Sequence, residues 1–501
     1  MAATSSLRAS PHALSFETFR DSALRASRAG LWVVAILAAG VLVALPEQSQ
    51  DALLGVAASA AAVAALVQPL VAVVLLLVAV PFGGIARGAS AASGDTSTDL
   101  SFGAAELLVA LLTVVWLARA VRRRRLDIRA GGVAVATLAM ASLAALSIGY
   151  ADDRPAAIKE SLKWFELLLA MLVVVDLAGT TRATRWVVGA MLVAGAAEAT
   201  YGAVQFVTNS GPGAFELQGA LRAFGHFDQP NPFAGYLTTI LPLAVCMAVC
   251  RANPIRFRWL AVASASLLAV GIGLSQSRGA WLGALVAAAC LLLAWSVSTR
   301  RLLIPCVLGG VLALALAISG LLPAAILDRL AQTIQYFGVF DVRGVEVTSD
   351  NWAIVERMAH WQAGWYMFLD HSWLGVGAGN YAQAYPDYFV GMWREPLGHA
   401  HNYYLNMLAE LGVVGGGILA VLLGLAFSEL GGALVRSEAI EHSFWRAVLA
   451  GAFGGLVVFC VHNLFDSLFV HSVNVQVGVL LGLGLLAADR LRTEQPGPVS
   501  A

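Results

Sequence analysis

The sequence predicts an all-α polytopic membrane protein with about 12–14 transmembrane helices, since its apolar runs approach the length that a bilayer requires. Of the 501 residues, 59% are hydrophobic and only 12% are charged, which is about half the charged fraction of soluble domains. The mean hydropathy is +0.76. These values exclude an ordinary soluble protein.

The apolar runs place the individual helices, because a span needs roughly 20 residues. We predict spans near residues 31–46, 52–67, 69–82, 102–119, 131–149, 161–178, 186–207, 231–250, 259–275, 279–298, 302–322, 401–427, 446–466 and 470–488. The second and third are separated only by Gln68-Pro69 and could instead form one broken helix.

These spans divide the chain into five regions. They are a cytoplasmic N-terminal tail at 1–30, transmembrane helices at 31–322, a helical periplasmic loop subdomain at 323–400, C-terminal transmembrane helices at 401–490, and a cytoplasmic tail at 491–501.

Charge placement predicts the orientation. The formal net charge is zero, with 31 basic and 31 acidic residues, so no overall field indicates a nucleic-acid partner. If both termini are cytoplasmic, most basic residues fall on the cytoplasmic side, as the positive-inside bias expects. We therefore expect a multi-pass protein of the inner (plasma) membrane, in contact with membrane lipids, whose functional groups face the periplasm or outside.

No cofactor is expected from the sequence. The five cysteines (Cys246, Cys250, Cys290, Cys306 and Cys460) all lie in apolar runs, which argues against disulfides and thiolate metal sites. Neither a nucleotide-binding loop nor a zinc-ligand spacing is present. We accordingly predict no metal.

The long polar connection near 323–397 is rich in tryptophan. Trp361 and Trp365 are four residues apart and predict one face of an amphipathic helix lying on the bilayer. Such residues could stack on sugar rings, but the general preference of tryptophan for membrane interfaces is the stronger interpretation.

Three distant segments carry polar residues to the same membrane face in this topology: 221–233, 275–281 and 398–412. Arg222 and Arg278 are the basic residues of the first two. A guanidinium between apolar helices needs an anionic partner, and two of them suit a diphosphate. The alternatives are snorkelling to lipid headgroups for Arg278 and simple solvation for Arg222.

His399 and His401 lie at the start of a hydrophobic helix, where an imidazole could take a proton from a hydroxyl. Only one of the two is expected to be the base, and which one the sequence leaves open. The alternative for His401 is a helix-capping residue, although Asn402 could be the cap. Glu410 is expected to be a buried partner.

Two further groups of titratable residues are weaker candidates. His462 and Asp466 are four apart and would share a helix face, where Asp466 could orient a histidine or form a structural pair. Asp152-Asp153 is interpreted as an ordinary charged turn.

Several of these segments together resemble the O-antigen ligase and O-antigen polymerase superfamily. The segments are Arg222…Gly225…Asn231-Pro-Phe-Ala-Gly235, Ser277-Arg-Gly-Ala-Trp-Leu-Gly283, Arg357…Trp361…Leu374-Gly-Val-Gly377 and His399-Ala-His-Asn-Tyr-Tyr-Leu405…Leu408-Ala-Glu-Leu-Gly412. They extend over residues 222–466 when Asp466 is included. The N-terminal third has no matching motif, and fourteen spans exceed the dozen usual in the family.

The resemblance implies a GT-C-like glycosyltransferase that moves a glycan from undecaprenyl diphosphate to an acceptor hydroxyl, with inversion and without metal. By motif, Arg222 and Arg278 would hold the diphosphate and His401 would be the base or orient the acceptor, with Asp466 in support. The acceptor could be lipid A core, another lipid-linked glycan or a protein hydroxyl. The alternative from another class is a transporter of bicarbonate or of a glycan.

Overall fold

The computed structural model describes residues 68–81, 104–124, 131–217, 220–227, 229–302, 340–348, 351–440 and 443–494, with scattered positions between 304 and 319. The predicted spans 31–46 and 52–67, and most of 302–322, lie outside the described residues.

Twelve helices of more than ten residues occur in the described part of the chain, and we number them in order. They are α1 (Pro69–Ala79), α2 (Ala104–Arg123), α3 (Gly131–Ser147), α4 (Arg154–Leu177), α5 (Thr181–Thr208), α6 (Pro230–Val249), α7 (Ile255–Ser275), α8 (Arg278–Trp295), α9 (Trp352–Asp370), α10 (Tyr403–Arg436), α11 (Phe444–His462) and α12 (Val473–Glu494).

The predicted fold class is confirmed: the chain is an all-α polytopic membrane protein. Within the described residues, α5, α6, α7, α8, α10, α11 and α12 are long and apolar enough to cross a membrane, and α1 and α3 are shorter apolar helices. The strands described there are the two-residue β1 (Glu216–Leu217) and β2 (Ala220–Leu221), which pair antiparallel.

Local sequence signals explain where several helices begin. The Asp153 side chain accepts the N–H of Ala156 at the start of α4, and Thr180 does the same for Ala183 at the start of α5. Such caps satisfy donors that the first helical turn leaves unpaired. The Asp152-Asp153 segment, interpreted from the sequence as an ordinary charged turn, therefore supplies the N-cap of α4.

Two predicted boundaries were wrong, and both matter for the site. The helix α10 is interrupted at Gly412, whose φ of 62° and ψ of −163° are not helical. The helix α11 ends at His462 rather than at 466, because Asn463 and Asp466 turn their side chains to the N–H groups of Leu468 and Ser467. His462 and Asp466 thus do not share a helix face.

The central helices approach closely through small residues. On α12, a side chain at Gly478 or Gly482 would strike backbone oxygens of α4, and on α11, one at Gly451 or Gly455 would strike the backbone of α6. Each pair has the small-xxx-small spacing that lets membrane helices pack backbone to backbone. The helices α6, α11 and α12 consequently form the most buried part of the bundle.

Arginines hold helix ends together at the end of the bundle where α4 and α8 finish. Arg490 donates to Gly179 O just beyond α4, and Arg185 donates to Ala252 O after α6. Carbonyls at helix C-termini attract cations because they lack helical partners and carry the negative end of the helix dipole. This pattern fits the predicted sorting of basic residues.

Arg446 is the most buried of these arginines. It is 0% exposed, and its guanidinium donates to Ala294 O at 3.1 Å and Trp295 O at 2.7 Å. We predict that Arg446→Leu lowers the free energy of unfolding by about 2–3 kcal/mol, because charge-assisted hydrogen bonds are lost and helix-terminal carbonyls stay buried. Thermal or denaturant unfolding in detergent measures this, and the exposed Arg256→Leu is the control. Equal stability of the two variants would show that Arg446 does not stabilise the end of α8.

Candidate functional site

The carboxylate of Asp466 lies in the turn between α11 and α12, where it is 3% exposed. Its Oδ1 is 3.4 Å from His401 Nδ1 and 3.7 Å from His399 Nε2. The Ser467 N–H donates to the same oxygen at 2.9 Å. The other oxygen, Oδ2, accepts a 2.6 Å hydrogen bond from Asn231 Nδ2. One buried carboxylate therefore joins segments far apart in the sequence.

Arg222 is connected to this carboxylate through Asn231. The Asn231 Oδ1 accepts from Arg222 Nη2 at 3.0 Å, while Arg222 Nε donates to the carbonyl of Ser275, the last residue of α7, at 2.8 Å. The amide of Asn231 thus receives a hydrogen bond on its oxygen and donates one from its nitrogen. This continuous chain fixes the guanidinium of Arg222 relative to Asp466 and His401.

Several positive charges crowd this end of the bundle. The pKa of Arg222 is lowered to about 10 by burial and by the nearby guanidiniums of Arg357 and Arg278, against the opposing effect of Asp466. Arg357 comes from α9, and Arg278 is the exposed first residue of α8. Three neighbouring guanidiniums and one carboxylate leave an excess of positive charge, which suits an anion.

Asp466 is ionised in this environment. Its burial opposes ionisation, but the hydrogen bond with His401 and the proximity of His399 and Arg357 hold the pKa of the carboxyl well below its usual range. An ionised Asp466 accepts hydrogen bonds from every neighbour that faces it. The nitrogen of His401 that faces Asp466, Nδ1, therefore carries its proton, and Nε2 carries the lone pair.

The two histidines are not equivalent. The backbone N–H of His401 donates to His399 Nδ1 at 3.0 Å, so the proton of neutral His399 resides on Nε2, which faces Asp466. The pKa of His399 is lowered to about 4 by burial and by His401. The lone pair of His399 therefore accepts a hydrogen bond from the backbone of the same turn. The tautomers, assigned from these partners, leave His401 Nε2 as the basic nitrogen.

The turn that carries the histidines is held from both sides. His401 itself has a positive φ of 52°, Ala400 N donates to Asn406 Oδ1 at 3.0 Å, and Asn402 caps α10 through Leu405 N. From α9, Trp361 Nε1 donates to His401 O at 3.3 Å. Asn402, not His401, is therefore the capping residue, and the strained conformation of His401 is maintained by its surroundings.

The helix α9 thus faces the site rather than only the membrane surface. Trp361 is half-buried and contacts His401, whereas Trp365 is 46% exposed. The ring of His360 lies 5.6 Å from that of His401 and stacks on Tyr385 at 4.7 Å. The indole of Trp361 packs against the histidine turn, so the two tryptophans differ in their surroundings, and the position of α9 on the bilayer stays a prediction.

The loop that carries Arg222 is clamped by α5. Gln205 binds both backbone groups of Gly225, accepting its N–H at 2.7 Å and donating to its oxygen at 2.8 Å. About two turns earlier on the same helix, Glu198 accepts the N–H of His226 at 2.6 Å. Gly225 has a φ of +60°, and a Cβ there would collide with Glu198. These bonds hold the loop at a fixed distance from α5.

The backbone of the glycine run at 375–379 is likewise held by hydrogen bonds, here to Glu410. The side chain of the buried Glu410 accepts the N–H of Gly379 at 2.8 Å, and its backbone carbonyl accepts the N–H of Gly377 at 2.9 Å. A side chain on Gly375 would collide with the backbone of Glu410. Glu410 is therefore a buried structural partner that docks this loop beside the interruption in α10.

The histidine turn also offers a possible metal-binding arrangement. One ligand atom from each of His399, His401 and Asp466 lies within 4.8 Å of the others. Two features favour hydrogen bonding over metal ligation: Asn231 occupies one oxygen of the carboxylate, and the charge of nearby Arg222 disfavours a second cation.

The structure brings His399, His401 and Asp466 into contact and joins Arg222 to Asp466 through Asn231. Arg278, the fifth site residue named from the sequence, lies near enough to Arg222 to lower its pKa. Sequence reasoning missed the bridging role of Asn231 and the approach of Arg357. Both residues lie in segments that carry the family resemblance, but the sequence does not show which side chains they contact. Gln205 and Glu198 gave no signal, because each is a single polar residue in an apolar helix.

The fold and this site define a multi-spanning membrane protein in which a histidine, a carboxylate and several arginines gather at one end of a helix bundle. Residues 263–420 match the family described as O-antigen ligase. This match confirms the resemblance to the O-antigen ligase and polymerase superfamily and indicates a glycosyltransferase of that type. It includes Arg278, Arg357 and both histidines, whereas Arg222 and Asp466 lie outside it. None of the curated proteins compared with the chain matches it.

The lowered pKa of His399 predicts acid sensitivity. An unfolded histidine binds a proton near pH 6.5, but folded His399 does so only near pH 4. Between these values the unfolded chain binds more protons, so stability falls as the pH falls. We expect His399 to account for about 2 kcal/mol of lost stability at pH 5 relative to neutral pH.

The measurement is unfolding in detergent as a function of pH. His399→Gln should show a shallower pH dependence, while the exposed His371→Gln should keep that of the parent protein. His360, whose pKa is lowered to about 3 by burial and by His401, contributes a change of the same sign in all three proteins. An unchanged slope in His399→Gln would show that His399 is as easily protonated in the folded protein as in the unfolded chain.

Proposed function

We propose that this protein transfers a glycan from undecaprenyl diphosphate to an acceptor hydroxyl at the periplasmic face of the inner membrane. The observation that carries the proposal is the hydrogen-bonded chain from Arg222 through Asn231 and Asp466 to His401. This chain joins a cation suited to a leaving diphosphate to a base suited to an attacking hydroxyl, which supports the proposal. The family match supports this reaction type.

The arginines would bind the donor. Arg222, Arg278 and Arg357 approach one another closely enough for each of the other two to lower the pKa of Arg222. That mutual repulsion is relieved when a dianionic or trianionic group binds among them. The guanidinium planes can grip phosphate oxygens bidentately, and their charge stabilises the negative charge that develops on the leaving group.

His401 would act as the base. Its Nε2 removes the proton of the acceptor hydroxyl while the hydroxyl oxygen forms a bond to the anomeric carbon. The bond between that carbon and the diphosphate oxygen breaks, and its electron pair leaves with the lipid diphosphate. Attack opposite the leaving group inverts the anomeric configuration. Asp466 stabilises the imidazolium that forms, through Nδ1–H.

No step in this mechanism is assigned to a metal, since three guanidiniums supply positive charge at the diphosphate. The loop subdomain at 323–400 would cover the glycan. The N-terminal tail 1–30 and the C-terminal tail 491–501 would lie on the cytoplasmic side, and the helices of 31–322 and 401–490 would cross the membrane. The arginine-braced helix ends lie at the end of the bundle away from Asp466, which supports a periplasmic site by the positive-inside bias.

The acceptor is a glycan, a lipid A core or a protein hydroxyl, all of which would use the same chemistry. A transporter is the alternative function. Transporters usually hold their substrates near the bilayer midplane at broken helices. Here α10 is interrupted at Gly412, but the loop 372–377 fills the interruption. Both histidines, Asp466 and Arg222 lie in loops and turns beyond the helix ends.

The test supplies the purified protein in lipid nanodiscs with an undecaprenyl-diphosphate-linked glycan and each acceptor class, and identifies products by mass spectrometry. We expect one acceptor to be glycosylated. His401→Gln should reduce kcat by about 10²–10⁴-fold, the usual contribution of a general base, with donor binding retained. His371→Gln is the matched control. Absence of transfer to every acceptor, or full activity of His401→Gln, would contradict the proposal.

The arginine contribution is tested separately. Arg222→Lys keeps the charge but loses the planar fork that binds both Asn231 and, we propose, the diphosphate. We expect kcat/KM to fall about 10–100-fold, as for the loss of one or two charge-assisted hydrogen bonds. Arg154→Lys, exposed at the same end of the bundle, should be unaffected. Unchanged donor affinity and turnover in Arg222→Lys would remove this residue from the donor site.

A further inference from the structure

A cavity of about 420 Å³ opens on the loop subdomain, and the proposed transfer step does not use it. Its lining includes Arg343, Tyr366, Asp370, Asp387, Tyr388 and Phe389. The volume lies in the range of about 300–1,000 Å³ that is typical of small-ligand sites.

The lining combines two kinds of surface. Aromatic rings from Tyr366, Tyr388 and Phe389 offer flat apolar surfaces, and the carboxylates of Asp370 and Asp387 offer hydrogen-bond acceptors. A sugar ring presents the complementary pair: an apolar face of C–H groups and an edge of hydroxyl donors.

The polar groups of the cavity are held in place before any ligand arrives. The Arg343 guanidinium is bound by both oxygens of Asp341 at 2.8–3.0 Å and donates to Tyr366 OH at 3.2 Å. The Tyr388 hydroxyl donates to Asp370. The floor residue Val390 is 5% exposed and belongs to a packed apolar cluster. Such preorganisation lowers the cost of ordering side chains on binding.

The charge of the cavity selects against anions. Among the described lining residues, Arg343 carries the positive charge, and Asp341 already neutralises it. The carboxylates of Asp370 and Asp387 then leave the cavity with a negative potential. A diphosphate or a phosphorylated sugar would be repelled, so this lining fits an uncharged sugar and not the donor headgroup.

Ring contacts relate the chain beside the cavity to the histidine turn, because His360 lies against both Tyr385 and His401. Its wall at 387–391 follows Tyr385, whose ring stacks on His360. Tyr366 lies on the same helix as Arg357, nine residues or roughly 13 Å further along the axis. A sugar that contacts Tyr366 would therefore lie roughly 13 Å along α9 from Arg357.

We propose that this cavity is a subsite for an uncharged sugar residue of the glycan, distant from the reacting carbon. The proposal rests on the proposed glycan transfer. It adds a site that binds the glycan away from its reacting end. Bound there, a distal sugar would hold a long glycan in register with His401 without taking part in the chemistry.

The experiment measures binding of short, fluorescently labelled neutral oligosaccharides to the full-length protein in nanodiscs, in parallel with the same oligosaccharides carrying a phosphate. We expect at least one neutral oligosaccharide to bind and its phosphorylated form to bind more weakly. Phe389→Ala and the nearly isosteric Asp370→Asn should each weaken binding by about tenfold, as for one lost stacking or hydrogen-bond contact. Trp373→Ala, 75% exposed and outside the lining, is the control.

His401→Gln separates this subsite from the reaction. It should bind the neutral oligosaccharide as the parent protein does, even though transfer is lost. If transfer fails in the parent but cavity-dependent binding remains, the transfer proposal fails and the sugar site stands. If no neutral oligosaccharide binds, if phosphorylated forms bind better, or if Phe389→Ala and Asp370→Asn bind normally, the subsite is overturned.

Discussion

The shared carboxylate of Asp466 is the interaction on which the arrangement of the site depends. It is almost completely buried, so its charge must be balanced by the groups that surround it. The groups that do so come from the first turn of α6, through Asn231, and from the turn before α10, through both histidines. Because one oxygen serves the histidines and the other serves Asn231, a shift of either segment would leave part of a buried charge unpaired.

The helix bundle provides the rigidity that this carboxylate needs. Glycines at small-xxx-small spacing bring α12 onto α4 and α11 onto α6, which fixes the turn between α11 and α12 from both sides. Loops at the same end are then attached to the bundle by polar side chains, as Gln205 attaches the Gly225 backbone and Glu410 attaches Gly379. The site thus consists largely of loop residues, but of loops whose backbone groups are individually bound.

Charge distribution relates this rigid site to its chemistry. The guanidiniums of Arg222, Arg278 and Arg357 are held close together although they repel one another, and folding has to maintain that repulsion. An anionic ligand would relieve it, which agrees with the proposed binding of a diphosphate. The loop cavity lined by Asp370 and Asp387 has the opposite potential. Two regions of opposite charge would orient a ligand that is anionic at one end and uncharged along the rest.

The sequence by itself determined the all-α membrane fold and the gathering of Arg222, Arg278 and the histidines at one end of the bundle. Hydropathy and positive-inside bias depend on local composition and on the bilayer, so they can be read along the chain. Only the tertiary structure decided that Asn231 joins Arg222 to Asp466 and that α11 stops before Asp466. It also decided that the lone pair of His399 accepts the N–H of His401. Those outcomes depend on which side chains meet across hundreds of residues, and long-range packing, not local composition, decides that.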